Sequence, residues 1–133
     1  MSRRDTREAV FKLIYETELC GEINELSVEQ IKSGIEKSDY GYFEGVFYGI
    51  QEHHKALSDI IAQYAGSFAY ERLYKVDLSI LLLATYEILY TDIPFKVSVN
   101  EAVELAKTYS TEKSAAYING ILASIIKNRN KEA

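Results

Sequence analysis

All-α is the fold class this sequence predicts, with about seven helices. Three observations predict it. Apolar residues recur at steps of three and four along most of the chain, no stretch alternates strictly between apolar and polar, and the one proline, Pro94, falls in a connection. At 133 residues, with 47% hydrophobic and 26% charged residues, the chain suits one domain, or two subdomains sharing a core, large enough to fold without covalent staples.

The first helix is expected from near Ser2, where Ser2 and Asp5 resemble a capping box with the shorter acid. Val10, Leu13, Ile14 and Thr17 keep the helical period and face the core, and Gly21 ends the helix after Cys20. A second helix is predicted from Ser27 to Lys37, with Val28, Ile31 and Ile35 as its apolar stripe and Gly34 weakening it. Asp39 is the expected cap of one long helix reaching Tyr64. Its seam runs through Tyr40, Phe43, Phe47, Ile50, His54, Leu57, Ile61 and Tyr64, with Gly45 and Gly49 on its flank.

After the Gly66-Ser67 break a short helix is expected over 69–74. Asp77 then reads as the cap of a strongly apolar helix from Leu78 to Tyr90, which should be central because it is apolar on nearly every side. Residues 92–95 connect, since Pro94 disfavours helix in the residue before it. Ser98 and Glu101 read as a capping box opening a helix to Tyr109, with Val99, Ala102, Val103 and Ala106 inward. Ser114 is the expected cap of the last helix, whose stripe is Ile118, Ile121, Leu122, Ile125 and Ile126, before a polar tail at 128–133 that is expected to fray.

Charge is unevenly spread. The net charge is −5, yet residues 1–12 carry +2 and residues 127–133 carry +2, leaving −9 on the middle of the chain. Such polarity speaks about partners: anions at the ends, a basic protein against the middle. The longest apolar run, Ile80 to Ala84, falls far short of the ~20 residues that span a bilayer, and the initial arginines lead directly into an amphipathic segment without a signal-peptide pattern. Cys20 is the only cysteine, which excludes an internal disulfide and suits a reducing compartment; the cytoplasm is the expected location.

Few residues invite catalysis. His53 and His54 are sequence neighbours, diverge by about 100° on a helix and cannot chelate one ion. Glu101 and Glu104 are better explained as acids at a helix N-terminus, and phosphate loops and hydrolase motifs are absent, so neither an enzyme, a cofactor nor a metal is expected. The start of the chain is more informative. Arg3, Arg4, Arg7 and Phe11 fall within about 100° of arc on a helical wheel, and guanidinium forks beside an aromatic suit phosphates and unstacked bases. Tyr117, with Lys113 one turn before it, could stack a base or simply cover the core.

Residues 94–126, PFKVSVNEAVELAKTYSTEKSAAYINGILASII, carry a longer signal. They resemble the C-terminal signature of the NusB family of bacterial transcription antitermination factors, in which a proline precedes an (I/V)NEAVELAK helix, then a loop, then Ser-x-x-aromatic-(V/I)-N-G-(V/I)-L. Pro94, Val99 to Lys107, Ser114 and Tyr117 to Leu122 supply every element. The stretch from Arg4 to Tyr15 and the block at 71–90 resemble the family as well, whereas 20–40 match poorly.

The resemblance implies a single domain over 1–133, made of helical subdomains at about 1–66 and 67–127. It implies a non-enzymatic protein that binds the single-stranded boxA element of nascent ribosomal RNA together with NusE, a small-subunit ribosomal protein, and supports read-through by RNA polymerase. By position, Arg3, Arg4, Arg7, Lys113, Ser114 and Tyr117 fall where the family meets RNA, and Tyr15, Val76, Asp77 and Ile80 where it meets NusE. Ala116 replaces a frequent lysine and Phe68 a frequent tryptophan. With so few basic residues near that face, NusE is expected to supply much of the positive charge. The alternative reading is a helical protein–protein adaptor, or a homodimer, with little RNA affinity of its own.

Overall fold

The computed structural model describes residues 2–66 and 70–132, with side chains to residue 129. Among them are seven α-helices and no strand: α1 (Arg3–Cys20), α2 (Glu25–Lys32), α3 (Tyr40–Glu52), α4 (His54–Ala65), α5 (Lys75–Tyr90), α6 (Phe95–Tyr109) and α7 (Glu112–Glu132). A single 3-10 turn, Lys37–Asp39, precedes α3.

Local chemistry sets α1. The Ser2 hydroxyl accepts from the Asp5 amide while the Asp5 carboxylate accepts from the Ser2 amide, and Gly21 closes the helix at φ 83°. Those reciprocal bonds hold Asp5 below its ordinary pKa, with the Ser2 backbone as the larger cause. Tertiary demands override the pattern elsewhere. Asn24, not Ser27, caps α2, and Ile35 is buried beyond the end of that helix. The long helix expected over 39–64 is two: the backbone breaks at His53 (φ −101°, ψ 18°), whose ring stacks on Tyr90 at 4.3 Å. Its seam is nevertheless buried through Phe43, Phe47, Ile50, Leu57 and Ile61.

The apolar helix begins at Lys75, so Asp77 lies inside its first turn. The expected short helix at 69–74 begins outside the described residues, and 70–73 form a turn closed by the Leu73 amide on the Tyr70 carbonyl at 3.2 Å. α6 starts just after Pro94, three residues before the expected cap, because both expected cap residues have other partners: Ser98 donates to Glu87 and Glu101 receives Arg4. In α7 the cap side chain is Thr111, which accepts from the Ser114 amide at 2.9 Å, and the helix continues through Glu132.

α5 is the hub, packed against α1, α3, α4, α6 and α7, and residues 77–85 are all buried. α6 and α7 pair along their length, and α1 lies against α5 on another side. No described helix is long and apolar enough to cross a membrane.

Candidate nucleic-acid interface

The arginine-rich start divides into surface and interior. Arg3 donates to Asp39 Oδ1 through Nε at 3.2 Å and Nη2 at 3.1 Å, with its guanidinium 4.3 Å from the Tyr42 ring centroid. Asp39 also accepts from the Thr6 hydroxyl at 2.8 Å, and that bond, followed by Arg3, depresses the carboxyl below its ordinary pKa. Arg4 forks onto Glu101 of α6, its shortest bond being 3.0 Å. Both side chains stay open to solvent, 48% and 66% exposed. Such pairs are worth only about 0–1 kcal/mol, so a phosphate can exchange for the carboxylate.

Arg7 is interior. Its side chain is 5% exposed and donates through Nε to Glu87 Oε2 at 2.8 Å. Glu87 accepts in addition from the Tyr42 hydroxyl at 2.6 Å and from Ser98 Oγ at 2.8 Å, which satisfies a carboxylate that is itself 1% exposed. Burial opposes the charge on Arg7, but the Glu87 hydrogen bond, with Tyr42 beside it, raises the guanidinium's hold on its proton above the ordinary value. Phe11 is also interior, 3% exposed, against the Tyr109 ring at 5.1 Å. The expectation that Arg3, Arg4 and Arg7 all meet RNA from the arc they share with Phe11 is therefore corrected: only Arg3 and Arg4 present guanidinium to solvent, because the Glu87 carboxylate claims Arg7 and the core claims Phe11.

The second segment lies at the far end of α6. A hollow of about 560 Å³ is bordered by Leu73, Tyr74, Asp77, Lys113, Ser114 and Tyr117, with Arg72 and Thr111 completing it. Tyr117 is 38% and Tyr74 71% exposed. Lys113 is exposed and has no ion-pair partner among the described residues. Ser114 is not a surface group: it is 9% exposed and donates to Asp77 Oδ2 at 2.8 Å. Asp77 Oδ1 is buried without a partner among the described residues, leaving one acceptor unspent at the edge of the hollow.

Two residues outside the sequence-derived set join these segments. The Lys12 ammonium lies 5.8 Å from the Tyr109 ring centroid, and both side chains are exposed. Glu101 and Tyr109 are eight residues apart on α6, about 12 Å along the axis. A track thus runs from Arg3 and Arg4 past Lys12 and Tyr109 to Lys113 and Tyr117. Lys12 and Tyr109 each carried the right chemistry, a cation and an aromatic, but only the packing of α1 against α6 brings them together.

Of the residues expected to meet a protein partner, Tyr15 and Val76 are half-buried, on α1 and α5, which pack together. Asp77 is 4% and Ile80 0% exposed. Ile80 offers no surface, and Asp77 reaches only Ser114 and the edge of the hollow, while Lys75 and Val76 keep the outer side of that turn open. His53 is taken up by its ring stack on Tyr90, and His54 Nε2 lies 2.6 Å from Glu18 Oε1. Among the described residues no three His, Cys, Asp or Glu side chains gather as a metal site.

Comparison with known proteins gives one consistent family. A family model described as the NusB family matches residues 4–127. The chain is 44% identical over 133 residues to the transcription antitermination protein NusB of Ruminiclostridium cellulolyticum, covering 96% of this chain and 90% of that protein. Its fold superposes on T. maritima NusB with a TM-score of 0.88 at 37% identity, over 96% of this chain and 92% of the other. It also matches a chain in the structure of antitermination factors NusB and NusE in complex with dsRNA, with a TM-score of 0.84, over 95% of this chain and 96% of that one; at 24% identity that likeness is one of fold.

Proposed function

The chain belongs to the NusB family, and we propose that it works as a transcription antitermination factor that binds single-stranded boxA-type RNA jointly with NusE. The observation that carries the RNA reading is the exposed, weakly paired fork of Arg3 and Arg4, continued by Lys12 and Tyr109 to Lys113 and Tyr117. Phosphates would displace the carboxylates of Asp39 and Glu101 and set the register, while Tyr109 and Tyr117 would stack bases. Arg7, Glu87 and Ser114 position these groups without touching RNA. Asp77 Oδ1 would accept from an N–H of whatever fills the hollow. Tyr15 and Val76 are the proposed NusE contacts, the acidic middle of the chain suits a basic ribosomal protein, and the pair would act within a polymerase complex in the cytoplasm.

RNA titrations test this reading, using single-stranded boxA RNA and a duplex of the same sequence, with and without NusE. Arg3→Ala and Arg4→Ala should each weaken binding of the single strand and lower the log–log salt slope by about 0.7. Unchanged affinity in both variants, with NusE pairing intact, would leave the adaptor reading in place. A homodimer that loses RNA binding as its concentration rises would favour the dimeric reading.

A further inference from the structure

A second surface lies elsewhere on the α6–α7 pair. The beginning of α6 and the end of α7 leave an open groove of about 550 Å³. Val99, Ala123 and Ile126 form its aliphatic floor, and Phe95, 36% exposed, stands at one end. Lys96 and Asn100 line it from α6 and Lys127 from α7. Arg129 borders the adjoining hollow that shares Phe95 and also contains Asp92.

The cations here differ from those of the arginine-rich start. Arg3, Arg4, Arg7 and Lys12 each hold a carboxylate. Lys96, Lys127 and Arg129 have no ion-pair partner among the described residues. Three cations without an ion pair therefore border this one apolar groove and the hollow beside it, whereas the four at the start of the chain are all paired. Residues 95–100 and 123–127 give the groove a length of about 8 Å, enough for one and a half turns of a docked helix.

We propose that this groove docks an acidic amphipathic helix of a protein partner. Aliphatic side chains at i and i+3 or i+4 would enter between Val99 and Ile126, and Asp or Glu on the two flanks would meet Lys96 and Lys127. Charge complementarity specifies the acidic partner. The aliphatic floor favours a protein over RNA, since Phe95 is its single ring and no arginine fork lines it. A second copy fits less well. Among the described residues, Leu26, 77% exposed beside Glu25 and Glu29 on α2, and Leu19, 56% exposed beside Glu18 on α1, are the aliphatic side chains next to acids, and joining either to this groove would be head-to-tail, not a two-fold contact. The proposal stands independently of RNA binding.

The test uses the full chain and a panel of fluorescein-labelled 14-residue peptides with Leu at helical spacing and Glu on both flanks, beside the same peptides with Lys for Glu. Saturable binding of the acidic set is expected, with amide NMR shifts confined to 95–100 and 123–127. Lys96→Glu with Lys127→Glu should weaken it about tenfold or more. Ala123→Glu, at an exposed position that leaves the core untouched, should abolish it; circular dichroism checks that both variants fold. The proposal is overturned by no saturable binding across the panel, by equal binding of the lysine peptides, or by shifts at Arg3, Arg4 or Tyr117 instead. Concentration-dependent self-association lost in Ala123→Glu would overturn it in favour of a second copy, and competition by an RNA oligomer in favour of nucleic acid.

Discussion

Tyr48 is half-buried with its hydroxyl donating to Glu25 Oε2 at 2.9 Å, a bond that ties α3 to α2. Burial first, then the Glu25 hydrogen bond, pushes the phenol up to about 12 from 10.0. A raised folded-state value means the stabilisation is complete below the unfolded pKa and disappears as pH rises through the folded one. Melting temperature should therefore fall between about pH 10 and 12. Tyr48→Phe should flatten that fall in part, while Tyr42, raised in the same direction by burial and by Glu87, and Tyr86, raised by burial, contribute to the rest. A fall equally steep in Tyr48→Phe would remove Tyr48 from the account. The same residue scale shows why Arg7 was misplaced by sequence reasoning. Wheel position sets Arg7 beside Arg3 and Arg4, but whether a carboxylate waits inside is decided 80 residues away, by Glu87.

At the level of elements, caps within a few residues of one another in sequence were legible, and those competing with distant partners were not. Ser2 and Asp5 met as expected, whereas Ser98 and Glu101 were claimed by Glu87 and Arg4. The break at His53 carries no proline or glycine, so nothing local announced it; its ring stacks on Tyr90 of α5. Gly45 and Gly49 of α3 now separate. A methyl on Gly49 would run into the Tyr86 ring, whereas one on Gly45 would meet nothing within 4 Å. Gly49→Ala should cost about 1–3 kcal/mol by overpacking the α3–α5 approach. Gly45→Ala should add about 1 kcal/mol through helix propensity. Thermal unfolding of the two variants should shift in opposite directions, and a parallel shift would contradict the close approach.

For the whole molecule, Glu87 joins α1, α3 and α6 to α5 through Arg7, Tyr42 and Ser98. The proposed division at 66/67 therefore separates subdomains that share this knot and the buried face of α5. Glu87→Ala should cost about 3–5 kcal/mol, since it leaves Arg7 charged and buried without a partner. Replacing both Arg7 and Glu87 by Met should recover part of that loss, with the Tyr42 and Ser98 hydroxyls still unsatisfied. Denaturant unfolding followed by tyrosine fluorescence and by circular dichroism should give one coincident transition in the parent chain. Two separated transitions would show the halves to be independent.

The sequence by itself determined the helical class, the seams that face the core and the central place of α5, because helical periodicity and near-continuous apolar character need only local spacing to be recognised. The motif at 94–126 was likewise complete in the sequence, and with it the family. Tertiary structure alone decided which cations are spent. Arg3 and Arg4 are paired yet open, Arg7 is sealed against Glu87, and Lys96, Lys127 and Arg129 keep their charge beside an apolar groove. The physical reason is range: a periodic stripe is a property of neighbouring residues, whereas the neutralisation of a charge depends on which carboxylate the fold carries to it.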